Sequence, residues 1–343
     1  MNDFFKMVRT FLIDYLPKQR NYSKNTVKSY RETINIFVAY LREVKGLKIS
    51  EINFDILEKA TVLEFLDWLQ EKRNCSESSR NQRLSALRSF FEYASENDCT
   101  VISLSAEVKK DIKSAKQQGR LVKFLSEPAL KALLAQPDAK KRIELRNMVF
   151  MTIMYDTAAR CSEILELRLR DLSLNTEHPD IYLLGKGRKP RPAPLLFKTT
   201  LHIERYLKEF HPNPSHDGSD LLFYTVIHGR RNPMSADTVA LFMRKYGEMA
   251  RKDCPEVPER VRPHMLRHSR AMHYYRDGMP LVMLAEYLGH NDVETTRVYA
   301  FADTEMKRKA MTKADPTQRN TPDVKGIWED DEEMILYLSG LKI

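Results

Sequence analysis

Apolar residues recur at helical spacing through the first hundred residues. In the segment that begins at Ser23, one helical face carries Ile34, Phe37, Val38 and Leu41. The same spacing predicts further helices over 4–16, 56–72 and 78–97. The first part of the chain therefore reads as a helical domain.

From Phe124 onward the pattern predicts helices interrupted by one hairpin. Ser126, followed by Glu127 and Pro128, has the chemistry of a helix start. Residues 180–195 contain a β-branched and aromatic run, a Gly-Lys-Gly turn and a return arm broken by prolines, which predicts a hairpin whose second arm lies at an edge. Helical patterns cover 125–136, 142–159, 199–210, 235–250 and 264–278.

Together these patterns predict a mainly α fold with a small antiparallel β-hairpin or sheet in the second of two domains. A length of 343 residues suffices for two domains and a tail. We expect a helical domain, a basic linker poor in apolar periodicity, a mixed α/β domain, and a linker with a terminal helix, over 1–106, 107–123, 124–311 and 312–343. The terminal helix is too short to be stable alone, so its apolar stripe must dock on protein. The stripe comprises Met334, Ile335, Leu338 and Leu341.

Charge favours an acidic polymer as the partner. The chain has 56 Lys and Arg against 47 Asp and Glu, a net charge of +9, while its last 33 residues are acidic. Seven cations of the first domain and the linker are candidates for contacts with phosphates, although each could equally belong to a solvated face. They are Arg80, Arg83, Arg88, Lys109, Lys110, Lys113 and Lys116.

Cysteine usage and hydropathy predict a cytoplasmic protein. The four cysteines have no CxxC spacing, so a zinc site or a disulfide framework is not expected. No apolar run approaches the roughly 20 residues of a membrane span. The amphipathic N-terminus contains acids, unlike a secretory signal.

The second domain carries an ordered set of cations that ends on one tyrosine. The segments are TAARCSE, GKGRKPR, HMLRH, LGH and TTRVYAF, and their candidate residues are Arg160, Lys186, His264, Arg267, His290 and Tyr299. Any one of these arginines alone would be read as a surface charge. Together they suit attack by a tyrosine on a phosphodiester, a reaction that needs neither a cofactor nor a metal.

The chemistry of a phosphodiester assigns roles to the cations. Two guanidinium groups, those of Arg160 and Arg267, can hold the non-bridging oxygens as negative charge develops on them. Glu163, on the same helical face as Arg160, can orient it. The 5′ oxygen leaves with a proton from a general acid, and Lys186 between two glycines fits best, with Lys189 and Arg188 as rivals.

The histidines and the tyrosine complete the predicted site. His264 lies three residues before Arg267, so it can accept a proton from the nucleophile or hold a phosphate oxygen. We expect His268 to pack behind the site, and His290 to donate a hydrogen bond to a phosphate oxygen. Tyr299 is the nucleophile, and its ordinary pKa of about 10 requires a nearby base. No HExxH or paired Cys/His spacing supports a metal.

These motifs resemble those of the tyrosine recombinase, or phage integrase, family. TAARCSEILELRLRDL is similar to the family's first arginine box, GKGRKPRPAPL to its β-hairpin lysine motif, and HMLRHSRAMHYYRDG with LAEYLGHNDVETTRVYAF to its second box. The likeness covers nearly the whole chain and is strongest from Arg160 to Tyr299. The first domain is similar to the family's core-binding domain.

The resemblance implies a site-specific DNA recombinase of the simple Xer-like or transposon-resident type. Tyr299 would form a 3′-phosphotyrosyl link, and strand exchange would pass through a Holliday junction in a tetramer on two duplexes with paired sites. The two domains would clamp the DNA, and the C-terminal helix would dock on a neighbouring protomer. Such an enzyme would work in the cytoplasm, on the nucleoid in a bacterium.

Two other functions fit the same residues. A type IB topoisomerase-like enzyme shares the cations and the tyrosine, although a separate core-binding domain and a docking tail favour recombination. A non-catalytic DNA-binding protein of the same fold is the other alternative, although all six functional positions carry competent side chains. The target site and the direction of reaction (integration, excision, resolution or inversion) cannot be read from the residues.

Overall fold

The computed structural model describes residues 2–116, 122–185, 190–290, 292–302, 308, 311 and 332–339. The chain forms two compact units, Met1–Gly119 and Arg120–Ile343. The predicted fold class, mainly α with small antiparallel sheets in the second unit, is confirmed.

The first unit is helical, and its helices follow the predicted segments closely. They are α1 (Asp3–Thr10), α2 (Lys24–Glu43), α3 (Lys59–Glu71), α4 (Glu77–Asn97) and α5 (Ile102–Lys110), with a π-helical stretch over Phe11–Gln19. Ser23 and Ser76 cap α2 and α4 by accepting hydrogen bonds from backbone N–H groups in the first turn. Phe11, Phe37, Phe65 and Phe90 are fully buried among these helices.

One boundary prediction was wrong: the expected linker over 107–123 begins inside α5. Leu104, Val108 and Ile112 follow one another at four-residue spacing and are buried in the core of the first unit. The predicted linker segment starts at residue 107 and omits Leu104, so the helical periodicity is not visible within that segment.

The second unit adds helices around two small sheets. Its helices are α6 (Glu127–Leu134), α7 (Arg142–Asp156), α8 (Cys161–Leu165), α9 (Phe197–Phe210), α10 (Ala236–Asp253), α11 (Pro263–Arg276), α12 (Leu281–Leu288) and α13 (Arg297–Ala302), followed by α14 (Glu332–Leu338). Its strands are β1 (Leu172–Ser173), β2 (Asp180–Leu184), β3 (Pro190–Pro194), β4 (Tyr224–Ile227) and β5 (Arg230–Pro233).

The predicted hairpin is the β2–β3 pair of a three-stranded sheet in the order β1-β2-β3. Its antiparallel register runs from Asp180 opposite Pro194 to Leu184 opposite Pro190. The proline-rich strand β3 lies at the edge, as predicted, because proline has no N–H to donate to a further strand. The β4–β5 hairpin was not predicted; His228 and Gly229 turn it with positive φ values of 48° and 74°.

Two hydrophobic clusters hold the second unit together. The larger one surrounds α7, whose Val149, Phe150 and Ile153 are fully buried. The smaller one joins α11 and α12 to α13, and Tyr299 is one of its buried members. No described helix is long and apolar enough to span a bilayer.

Candidate active site

A tight turn after α7 places Arg160 at the start of α8. Thr157 accepts a hydrogen bond from the backbone N–H of Ala159 and donates one to the carbonyl of Ile153. Ala158 adopts a φ of 49°, a left-handed conformation that is costly for a residue with a Cβ atom. The carbonyl of this strained residue faces the site, where it accepts a hydrogen bond from Arg267.

Glu163 holds Arg160 at both its backbone and its side chain. Its Oε2 accepts from the Arg160 backbone N–H at 2.9 Å, and its Oε1 accepts from Arg160 Nη1 at 2.7 Å. Burial opposes ionisation of Glu163, but the hydrogen bonds from Arg160 and the charges of Arg191 and Arg160 outweigh it, so the pKa is lowered. Glu163 is therefore an ionised carboxylate beneath Arg160.

Arg267 is a buried guanidinium with three acceptors. It donates to the carbonyls of Ala158 and Leu288 at 2.7 Å each, and to Nε2 of His290 at 3.0 Å. Arg267 is only 4% exposed. Burial and the charge of Arg160 lower the pKa of Arg267 to about 10, so it remains a cation at neutral pH.

His290 connects Arg267 to the segment that carries the tyrosine. Gly289 ends α12 in the left-handed conformation, and His290 follows it with Nδ1 placed 2.8 Å from the Thr296 hydroxyl. Burial and the charges of Arg267 and Arg160 lower the pKa of His290 to about 4, so the ring is neutral. Since Nε2 accepts from Arg267, Nδ1 carries the proton and donates to Thr296. Both ring nitrogens of His290 are thus engaged by protein groups, and its contact with a phosphate oxygen stays a prediction.

The hydroxyl of Tyr299 is buried and paired with His268. The oxygen lies 2.9 Å from Nδ1 of His268, and the residue is 1% exposed. Burial raises the pKa of Tyr299, although the charges of Arg267 and Arg160 act to lower it. Burial, with His264 and Arg267, lowers the pKa of His268 to about 4. A protonated phenol therefore donates to a neutral imidazole.

Of the two histidines of α11, His268 is the one that lies against the Tyr299 hydroxyl, whereas the sequence led us to expect His264 there. His264 lies at the exposed side of the helix, and its ring centroid is 6.3 Å from that of His268. No hydrogen bond joins His264 to Tyr299 in the described part of the chain. The sequence spacing could not separate the two, because residues 264 and 268 lie one helical turn apart on the same face.

Some predicted residues lie elsewhere or are not described. Lys186, Lys189 and Arg188 lie outside the described residues. Sequence reasoning missed Arg191, which follows them on β3 and donates to Glu163 Oε2 at 3.2 Å. Its signal was present in GKGRKPR, but a proline on either side made it look like part of a structural edge.

Two of the predicted phosphate contacts in the first unit have structural roles instead. Arg80 is buried and donates to the Lys113 carbonyl. Arg88 donates to the carbonyl of Val108 in the last turn of α5 and to that of Ile112 just after the helix. These side chains are directed inward because the C-terminal carbonyls of a helix need donors. For Arg80 and Arg88, the predicted contact with phosphate is therefore replaced by a structural role.

The remaining candidates of that set are placed differently. Arg83 is half-buried, and its Nε has no partner among the described residues. Lys109 pairs with Glu92 at 2.6 Å, and Lys113 donates to the Lys110 carbonyl. Lys110 and Lys116 are exposed cations, which remain predicted phosphate contacts.

Additional arginines lie beside the start of α11. A surface pocket of about 620 Å³ is lined by Arg244 on α10 and by Arg260 and Arg262 in the loop before α11. Arg262 is exposed two residues before His264. The pocket thus gathers three arginines near the start of α11, with Asp237 also in its lining. Among the described residues, no group of histidines, cysteines and carboxylates is arranged to hold a metal ion.

Comparison with known protein families matches both units. The model of the phage integrase family matches residues 123–306, and that of the phage integrase N-terminal SAM-like domain matches residues 10–97. Tyrosine recombinase XerD of Listeria monocytogenes is 30% identical over 316 residues, covering 91% of this chain and 98% of the relative. The predicted integrase/recombinase y4rC of Sinorhizobium fredii is 30% identical over 338 residues, covering 98% and 97%.

Solved structures share the fold. The Tn1549 transposon integrase in complex with transposon right end DNA aligns with a TM-score of 0.65 at 16% identity, covering 92% of this chain and 99% of that one. These relatives favour a recombinase over the topoisomerase-like and non-catalytic alternatives. The chain belongs to the phage integrase family and is a tyrosine recombinase.

Proposed function

We propose that this recombinase cuts and rejoins DNA at specific sites with Tyr299 as the nucleophile. The phenolic oxygen would bond to the scissile phosphorus while the bond to the 5′ oxygen breaks, leaving a 3′-phosphotyrosyl link and a free 5′ hydroxyl. A 5′ hydroxyl of the partner strand would then attack the link and release the tyrosine. The covalent link conserves the bond energy, so no nucleotide cofactor is required.

The hydrogen bond between Tyr299 and His268 is the observation that carries this proposal. It supports His268 as the acceptor of the phenol proton, since the nitrogen facing the hydroxyl is unprotonated at neutral pH. The guanidinium groups of Arg160 and Arg267, which both act electrostatically on Tyr299, would hold the non-bridging oxygens. Lys186 would protonate the leaving 5′ oxygen, with Lys189 as the alternative.

Histidines at the rim would complete the contacts with phosphate. His264 is exposed beside the pair, where it can donate to a phosphate oxygen. His290 would join them once a phosphate oxygen replaces it as an acceptor for Arg267 and its Nε2 takes up a proton, because only a protonated Nε2 can donate to phosphate. The buried hydroxyl of Tyr299 indicates that α13 must shift before attack.

We propose duplex DNA with paired recombination sites as the substrate, bound by a helical core-binding domain that extends through α5 and by a catalytic domain over 124–311. Structural relatives have been solved with DNA, including the Tn1549 transposon integrase with transposon right end DNA. Lys110, Lys116 and the pocket arginines would contact the backbone. Assembly would be a tetramer with the segment 312–343 docked on a neighbour, acting in the cytoplasm.

Covalent trapping tests the proposal. A nicked suicide duplex lets the cleaved strand diffuse away, so the phosphotyrosyl protein accumulates and migrates slowly on a denaturing gel. We expect an adduct with the intact protein and none with Tyr299→Phe, which retains the ring and loses only the nucleophilic oxygen. Failure of the intact protein to form an adduct on a duplex that it binds would refute strand cleavage.

A further inference from the structure

Strand β3 inserts one guanidinium between two parts of the active site. Arg191 donates from Nη2 to Glu163 Oε2 at 3.2 Å and from Nη1 to the Tyr287 carbonyl at 2.7 Å. Its side chain is 15% exposed. One residue thus connects the edge strand to α8 on one side and to the end of α12 on the other.

The contact with Glu163 decides how much positive charge Arg160 can offer a phosphate. Glu163 is 4% exposed and faces two guanidinium groups, at 2.7 Å from Arg160 and 3.2 Å from Arg191. One carboxylate between two cations leaves a net charge of +1. Without Arg191, Arg160 alone would neutralise a buried carboxylate, and its guanidinium would be drawn toward Glu163 and away from the substrate.

The contact with Tyr287 supports the turn that presents His290. A cation at the C-terminal carbonyls of α12 compensates for the negative end of the helix dipole. Arg191 also packs against Gly289, where a Cβ atom would lie 3.1 Å from its Cδ and Nε. The glycine therefore serves two needs, a φ of 64° and room for Arg191.

We infer that Arg191 is a positioning residue for strand cleavage. It holds Glu163, and through Glu163 also Arg160, in a fixed position relative to the turn before His290. This inference rests on the proposed function and adds a residue to its machinery. Arg191 itself does not contact the reacting atoms in this scheme. Its two hydrogen bonds fix the distance between Glu163 on α8 and the end of α12.

The experiment compares Arg191→Ala with Arg251→Ala as a matched control. Arg251 is another arginine of the second unit whose guanidinium makes two hydrogen bonds, in its case both to carbonyls, those of Pro258 and Glu259. DNA affinity is measured by fluorescence anisotropy. The rate of cleavage is measured in single turnovers on the suicide duplex, and folding is checked by thermal melting. We expect Arg191→Ala to cleave about 10²-fold more slowly, as for a misplaced catalytic group, with its DNA affinity nearly unchanged. Arg251→Ala is expected to cleave normally.

A second pair of variants separates positioning from general loss of structure. Arg191→Lys keeps the charge but offers one donor point instead of a planar fork, so we expect partial recovery only. In an Arg160→Lys background, Arg191→Ala should add little further loss, because both changes remove the same arrangement. If Arg191→Ala melts below the assay temperature, Arg191→Lys supplies the comparison.

Three outcomes overturn the inference. These are cleavage by the Arg191 variants at the rate of the intact protein, a loss that multiplies with that of Arg160→Lys, and a loss confined to DNA affinity. Its failure is distinct from failure of the proposed function, because the latter appears as the absence of an adduct with the intact protein.

Discussion

Replacing His268 with glutamine tests which imidazole serves the nucleophile. Burial raises the pKa of Tyr299 above its ordinary value and lowers that of His268 to about 4. With an ordinary phenol pKa of about 10, the proton transfer is uphill by at least about 8 kcal/mol. The proton is therefore expected to move only together with attack, when the phenolic oxygen bonds to phosphorus.

We expect His268→Gln to slow single-turnover cleavage of the suicide duplex by about 10²–10⁴-fold, the usual contribution of a general base. Glutamine can still bond to the Tyr299 hydroxyl, so folding and DNA affinity should be nearly unchanged. His264→Gln is the matched control, one turn earlier on α11, and should lose less. The rates are measured at saturating protein, with thermal melting as the check on folding.

The opposite ranking would refute the reasoning. If His268→Gln cleaves at the rate of the intact protein while His264→Gln is strongly impaired, the hydrogen bond from Tyr299 to His268 does not identify the general base. The base in the complex would then be His264.

Three further predictions concern stability. His290 binds a proton below about pH 6.5 when unfolded but only near pH 4 when folded, so its contribution to stability is full above pH 6.5 and lost as the pH falls toward 4. In urea unfolding at several pH values, His290→Gln should remove about 1.4 kcal/mol per pH unit from the acid slope; parallel curves would contradict this. Gly289→Ala should lower the free energy of unfolding by about 1–2 kcal/mol because of the positive φ, and should also slow cleavage by displacing Arg191. The control Gly278→Ala, with a φ of 96° and no atom within 4 Å of its Cβ, should affect stability only. Equal cleavage by both variants would exclude a role of the Gly289–Arg191 contact in cleavage. Arg88→Ala should cost about 1–3 kcal/mol because two carbonyls lose their donor, without changing the salt dependence of DNA binding; a reduced salt slope would restore Arg88 as a phosphate contact.

Local patterns predicted most of the helices because each carries its own periodicity and caps. Ser126 before Glu127 and Pro128 begins α6 as expected, and its hydroxyl accepts from Ala129. The β4–β5 hairpin was missed because its strands are short and its turn residues, His228 and Gly229, are not the commonest pair. The end of helix α5 was missed because its buried residues, Leu104 and Val108, lie on opposite sides of the predicted boundary between residues 106 and 107.

Residue types and their order along the chain determined the family and the class of chemistry, and they predicted Tyr299 as the nucleophile, because phosphoryl transfer to a phenol needs a recognisable set of side chains. Tertiary structure alone decided which members of that set touch. Hydrogen bonds between residues 31 and 28 positions apart, His268 to Tyr299 and Arg191 to Glu163, depend on packing and not on spacing. The same packing turned Arg80 and Arg88 inward, since a guanidinium's role depends on the acceptor that the fold places in front of it.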